Sequence, residues 1–303
     1  MIRKELRPHE ILTIFFAALF LSIAILFKER IERLFYLIPL YLSIIAFQFV
    51  RLPDLPFWSR RSLPLKGFDN NNIGRDILLP LVSVVFIFDS LEWIVHPVNP
   101  VDIDPILLKL DYYLTGTYPT VALQKFVNPF LTEVLQLAYS SYYFIPIILG
   151  LTLKLHKKEK EFTEALFLVL LCFYLSYVGY LLFPALGPRF YIKELHTVEL
   201  KGLLLMEYIH EFLNRLEGIK RDAFPSGHTA IALLCLVIAY KHERRLFWWL
   251  VPVVIMLLFS TVYLRYHYVV DVIAGIALTG IVLIGGPYLY RGMRSEVGNQ
   301  KRE

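Results

Sequence analysis

The chain has 303 residues, of which 57% are hydrophobic and 15% aromatic, and its mean hydropathy is +0.56. A soluble domain of this length could not bury so much apolar surface, so an integral membrane protein is expected. The 31 Lys and Arg and 26 Asp and Glu sit in short connectors and form no stripe along one face, which argues against nucleic-acid binding.

A helical span needs roughly 20 apolar residues. On that ruler the chain offers eight, at about 10–27, 34–50, 76–95, 131–153, 165–187, 226–241, 246–264 and 269–290, the second and sixth being shortest. The first ends in Lys28-Glu29-Arg30 without a small-residue cleavage site, so it reads as a retained helix and not a secretion signal. Cys172 and Cys235 lie inside apolar runs and read as small core residues, not as a disulfide or metal framework. The expected fold class is all-α, a polytopic membrane helix bundle of about eight transmembrane helices. Its expected divisions are an N-terminal transmembrane hairpin and connector (1–75), a six-helix core (76–290) and a basic cytoplasmic tail (291–303).

Sidedness follows from the connectors. Lys and Arg number 19 on the side of the two termini and the even connectors, against 12 on the odd connectors. The positive-inside rule then puts both termini in the cytoplasm, in a plasma (inner) membrane. Two outer connectors carry apolar patterning of their own. Pro105 to Asp111, with Pro119 to Val127 after it, has short apolar runs, and Leu203 to Leu216 reads as an amphipathic helix with Glu207, Glu211 and Arg215 on its wet face. Such segments either roof a site or lie on lipid.

Three elements that can carry chemistry reach the outer face. At the end of the fifth span, Arg189 in Pro184-Ala185-Leu186-Gly187-Pro188-Arg189 can hold phosphate oxygens bidentately, or anchor to lipid headgroups. At the start of the sixth, Pro225-Ser226-Gly227-His228 combines a fixed turn, a capping hydroxyl, a glycine that admits an anion to the backbone, and an imidazole beside them. Between the seventh and eighth, Asp271 lies one helical turn after His267, where it can accept from one ring nitrogen and leave the other basic. An interfacial His-Asp pair that only satisfies a buried carboxylate is the plainer alternative.

These motifs resemble the type 2 phosphatidic acid phosphatase superfamily, which also contains vanadium haloperoxidases, and most resemble its inositol phosphorylceramide synthase-like branch. The resemblance runs over roughly residues 76–290. Pro-Ser-Gly-His is complete at 225–228, and Ser260, His267 and Asp271 fit the third signature. Thr261 replaces its arginine, and Leu182 stands where the first signature has lysine. The resemblance implies a six-helix phosphatase-type core in which His267 is the nucleophile forming a phosphohistidine. Asp271 would orient it, and His228 would serve as acid and then base. Ser226, Gly227, Arg189 and Arg265 would bind phosphate, with no metal or other cofactor.

Asp89 and Glu92, three residues apart in the third span, bind a polar headgroup or pair with Arg189 or Arg265. Gln136, Tyr139, Ser140, Ser141, Tyr142 and Tyr143 form a polar-aromatic patch that either lines the same cavity or belongs to the interfacial belt. The expected partners are a lipid phosphate, the bilayer, and water or an alcohol as acceptor. The expected reaction is removal of the phosphate from a phospholipid or isoprenoid phosphate, or its transfer to a lipid hydroxyl; a transporter or lipid-binding scaffold is the non-enzymatic alternative.

Overall fold

The computed structural model describes residues 6–50, 74–204 and 219–299. Among them the chain is built from helices, with no strand. The helices long enough to matter are α1 (Pro8–Leu26), α2 (Leu34–Phe49), α3 (Leu79–Ser90), α4 (Asp104–Thr115) and α5 (Pro129–Ser140). After them come α6 (Ile145–Leu155), α7 (Glu159–Leu182), α8 (Gly227–His242), α9 (Arg244–Tyr263) and α10 (Val269–Asn299).

Local sequence sets the ends. Asn128 accepts from the Leu131 N–H at 2.9 Å to start α5, and Ser226 accepts from Thr229 at 3.3 Å to start α8. Gly116, at φ +71°, ends α4 in the left-handed conformation that glycine tolerates.

Each of the eight expected apolar runs contains helix, but not all of it is span-length. By length and apolarity α1, α7, α9 and α10 are each able to cross a membrane; α5 with the 3-10 turn to Tyr143 and α6 make a fifth if counted as one span bent by 52°. The bend falls where Pro146 starts α6, a residue that cannot continue the preceding hydrogen-bond ladder. The third expected run is split into a π-helical turn at Gly74–Leu78, α3, and a 3-10 turn at Leu91–Trp93. Asp89 and Glu92 therefore lie on different elements. These helices fit a multi-pass membrane protein, and their outward faces carry Trp248, Trp249, Ile255 and Ile284, all well exposed.

At the hub is α7, which packs against α1, α3, α6, α8 and α10; its Phe167, Cys172 and Tyr174 are fully buried. One end of the bundle is closed by charges. Asp76 takes an ion pair from Lys154 at 2.7 Å and another from Arg7, and Arg75 donates to Glu10 at 2.6 Å. Helix α4 crosses the other end. The amphipathic segment expected at Leu203 to Leu216 lies almost wholly outside the described residues.

Candidate active site

Three turns meet at the end of the bundle away from Arg7: the 183–189 loop after α7, the 219–226 segment before α8, and the 264–268 turn before α10. Backbone bonds knit them together. Ala223 N donates to Ala185 O at 3.2 Å, Arg189 N to Arg265 O at 2.9 Å, and Ser226 N to Asp271 O at 3.1 Å. Glycine is needed at two of these contacts. Gly187 sits at φ +80°, and a Cβ there would meet the Tyr266 carbonyl at 2.5 Å; at Gly275 it would lie 2.6 Å from the Ser226 carbonyl.

That knitting brings His228 and His267 together. Their ring centroids are 5.7 Å apart, and the two residues are 8% and 4% exposed respectively. His267 Nδ1 lies 2.8 Å from the Ala223 carbonyl and 3.5 Å from Asp271 Oδ2. A carbonyl only accepts, so Nδ1 carries the proton and Nε2 keeps its lone pair. Asp271 Oδ2 accepts from the Tyr268 backbone N–H at 2.7 Å, which tightens the turn that carries His267. The nearest acceptor for the imidazole is therefore Ala223, from the turn that leads to His228.

Burial is the largest influence on His267, pushing its pKa down to about 4; Arg189 adds to the lowering, while Asp222 and the Ala223 bond oppose it. The ring is thus neutral at ordinary pH. His228 is gripped by aromatics, with Tyr139 stacked at 4.3 Å and Tyr142 at 4.1 Å between centroids, and Tyr139 stacks in turn on Tyr266. Its Nε2 is buried with no protein partner among the described residues. The 136–143 patch thus lines the site through Tyr139, Tyr142 and Tyr143.

Of the residues expected to hold phosphate, Arg189 lies between the rings of Phe190 and Tyr266, 4.5 and 4.8 Å from their centroids. Ser226 is fully buried and spends its hydroxyl on capping α8. At Gly227 the space a Cβ would need is held by the Tyr180 hydroxyl, 2.5 Å away. Arg265 donates from one terminal nitrogen to the Val198 carbonyl and keeps a buried Nε with no acceptor among the described residues. Ser260 bonds Leu257 within its own helix at 2.6 Å. Glu92 accepts the Lys220 backbone N–H at 3.3 Å, on the segment leading to Pro225. Asp89 has no side-chain bond among the described residues, and neither carboxylate lines the cavity onto which His228 opens.

Sequence reasoning passed over the carboxylates of α4. Asp104 accepts from the N–H groups of Leu186 and Gly187 at 2.8 and 2.9 Å and from the Tyr268 hydroxyl at 2.9 Å. Asp111 accepts from Val269 and Val270 at 3.0 and 2.9 Å, capping α10. Helix α4 therefore turns its acids inward, while Ile106, Tyr112 and Tyr113 face outward. The one available signal was Asp104 and Asp111 seven residues apart, two helical turns on one face. Asp222 was also missed; it shares the cavity with His228 and lies near enough to His267 to act on it electrostatically.

Among the described residues no group of three or more His, Cys, Asp or Glu is placed to hold a metal ion. A family model described as PAP2 superfamily matches residues 107–284, more than half of the chain. A PA-phosphatase related-family protein of Dictyostelium discoideum is 27% identical over 184 residues, covering 54% of this chain and 33% of that protein. The chain thus spans about a third of that relative's length. No solved structure matches it.

Proposed function

The chain belongs to the PAP2 superfamily, and on that premise we propose that it is a membrane enzyme that cleaves a phosphate ester of a phospholipid or isoprenoid through His267. Membership points to phosphoryl transfer or hydrolysis. The observation that carries the finer reading is the donation of His267 Nδ1 to Ala223 at 2.8 Å, which leaves Nε2 as a lone-pair donor beside His228.

In this scheme Nε2 of His267 attacks phosphorus, the P–O bond to the lipid breaks, and His228 gives its proton to the departing oxygen. The phosphoryl group then sits on His267. Water, or a lipid hydroxyl, attacks phosphorus while His228 takes its proton, and the P–N bond breaks to restore both rings. Asp271 balances the positive charge that builds on the imidazole. Arg189, the Arg265 Nε and the backbone N–H groups at the start of α8 hold the phosphoryl oxygens. Fixed donors of this kind supply the charge stabilisation without an ion. The positive-inside count of Lys and Arg supports placing the site on the outer face of the plasma membrane with both termini inside.

Purified protein assayed against a panel of lipid phosphates tests the reading. Phosphate release that is lost in His267→Ala and kept in chelator is the expected result; release that survives His267→Ala overturns the mechanism. Adding acceptor alcohols to the same assay distinguishes transfer from hydrolysis.

A further inference from the structure

The cavity onto which His228 opens is not confined to the chemistry. It has a volume of about 260 Å³ and runs away from His228 and Asp222, past Tyr142, Tyr177 and Tyr180, to Asp76 at the opposite end of the bundle. Its floor is α7, and its walls are α3 and α6, each packed on α7. Between its polar ends the lining is apolar: Val84, Val85, Gly150, Ala165, Val169 and Phe173 are representative. Along α7 it extends from Phe162 to Tyr180, about 27 Å at the rise of an α-helix, and on the facing wall from Asp76 in the π-helical turn to Phe88 in α3. The length along α7 exceeds the roughly 15 Å of one leaflet, half of the hydrocarbon core.

The far end is stopped. Asp76 and Lys154 pair at 2.7 Å with side chains 3% and 5% exposed, and Lys154 lies over the Phe162 ring at 4.5 Å. On one wall Leu81 and Val85 are 41% and 52% exposed, so the cleft is open sideways where lipid would lie. A slot with a buried imidazole at one end, hydrocarbon walls and a charged stop fits one kind of occupant: a single hydrocarbon tail whose phosphate is at the histidines.

We propose that this cleft between α3 and α6 is a tail slot, entered sideways from the bilayer, in which the Asp76–Lys154 pair limits how long a chain is accepted in full contact. This rests on the proposed phosphate-ester chemistry for the identity of the headgroup. It adds that selectivity is read by tail length along α7 and not by the headgroup alone.

Two measurements test it. The first is kcat/KM for single-chain lipid phosphates of increasing length, with wild type and Ala165→Phe, which fills the deep part of the slot. The expected result is a rise with length in wild type, and in the variant a loss of about tenfold or more on long tails with little change on the shortest. Equal loss at every length, or none, overturns the slot. The second does not need turnover: a long-chain lipid phosphate with a photoreactive group at its tail end is crosslinked to the wild-type protein. Labels at Phe162, Ala165 or Leu166 are expected; labels confined to outward residues such as Trp248 and Ile284 overturn the proposal. Absence of turnover on every phosphate, with crosslinks still in the slot, would count against the reaction and not against the slot.

Discussion

His267 Nδ1 is 2.8 Å from the carbonyl oxygen of Ala223, closer than it is to the carboxylate of Asp271 at 3.5 Å. The turn that delivers His228 therefore also fixes the tautomer of His267, and the two imidazoles are positioned by one piece of backbone. Asp271 Oδ2 accepts from the Tyr268 N–H, which shapes the turn; in the proposed mechanism its carboxylate would balance the charge that builds on the imidazole.

Replacing Asp271 by Asn keeps an acceptor for Tyr268 but removes the charge. The expected outcome is a fall in kcat of roughly 10²–10⁴ with KM little changed, whereas His267→Ala removes turnover altogether. Steady-state kinetics on a lipid phosphate measures both, and an equal effect on KM would contradict the assigned role.

Burial makes His267 a weaker base than a solvated histidine, with its pKa down at about 4 where 6.5 is ordinary. The sign is direct: above that value the ring is neutral, the form the proposed mechanism needs, and it loses its lone pair only as pH falls through about 4. In ¹⁵N-histidine spectra, the resonance that disappears in His267→Gln should keep the neutral pattern at pH 5.5. A titration midpoint near 6.5 would refute the buried, carbonyl-bonded geometry.

Asp111 holds two N–H groups at the start of α10. Asp111→Ala leaves both unpaired and should cost about 0.5–2 kcal/mol of stability; Asp111→Asn, which keeps one acceptor, should recover part of it. Thermal unfolding in detergent reads the first effect, and kcat reads whether the His267 turn moves with it.

The clamp on His228 is aromatic stacking, which depends on the ring and not on the hydroxyl. Tyr139→Phe, which keeps the stacked ring, should retain more activity than Tyr139→Leu, which should lose up to about tenfold, matching the 0.5–1.5 kcal/mol of a stacked pair. Comparable losses in the two variants would mean that the hydroxyl, and not the stack, is what matters.

At Gly275 an added methyl would lie 2.6 Å from the Ser226 carbonyl and 2.9 Å from Thr229 Cβ. Backbone cannot swing aside as a side chain can, so Gly275→Ala should push α10 away from the start of α8. A loss of about 1–3 kcal/mol is expected, with activity falling more than stability because both histidines sit at this junction. Melting temperature and kcat measured together check it.

Helix α4 shows where sequence reading was ambiguous. Its short apolar runs allowed it to roof the site or to lie on lipid; in the structure Asp104 and Asp111 point inward to the turns that carry the histidines, while Tyr112 and Tyr113 point out. Tyrosines 139 and 142 were equally hard to place, because an interfacial belt and an active-site wall use the same residue type.

By itself the sequence determined the apolar runs, the helical character and the placement of Asp271 four residues after His267, because those depend on composition and on the fixed geometry of consecutive residues. The same covalent logic exposed Pro225-Ser226-Gly227-His228 as a helix start with an imidazole. Only the tertiary structure decided that Ala223 bonds His267, that Tyr139 and Tyr142 clasp His228, and that Asp104 and Asp111 bind turns more than 80 residues away in sequence. Those contacts join segments with no local relation. Which donor meets which acceptor is set by how α4, α7, α8 and α10 pack, and no spacing along the chain encodes that.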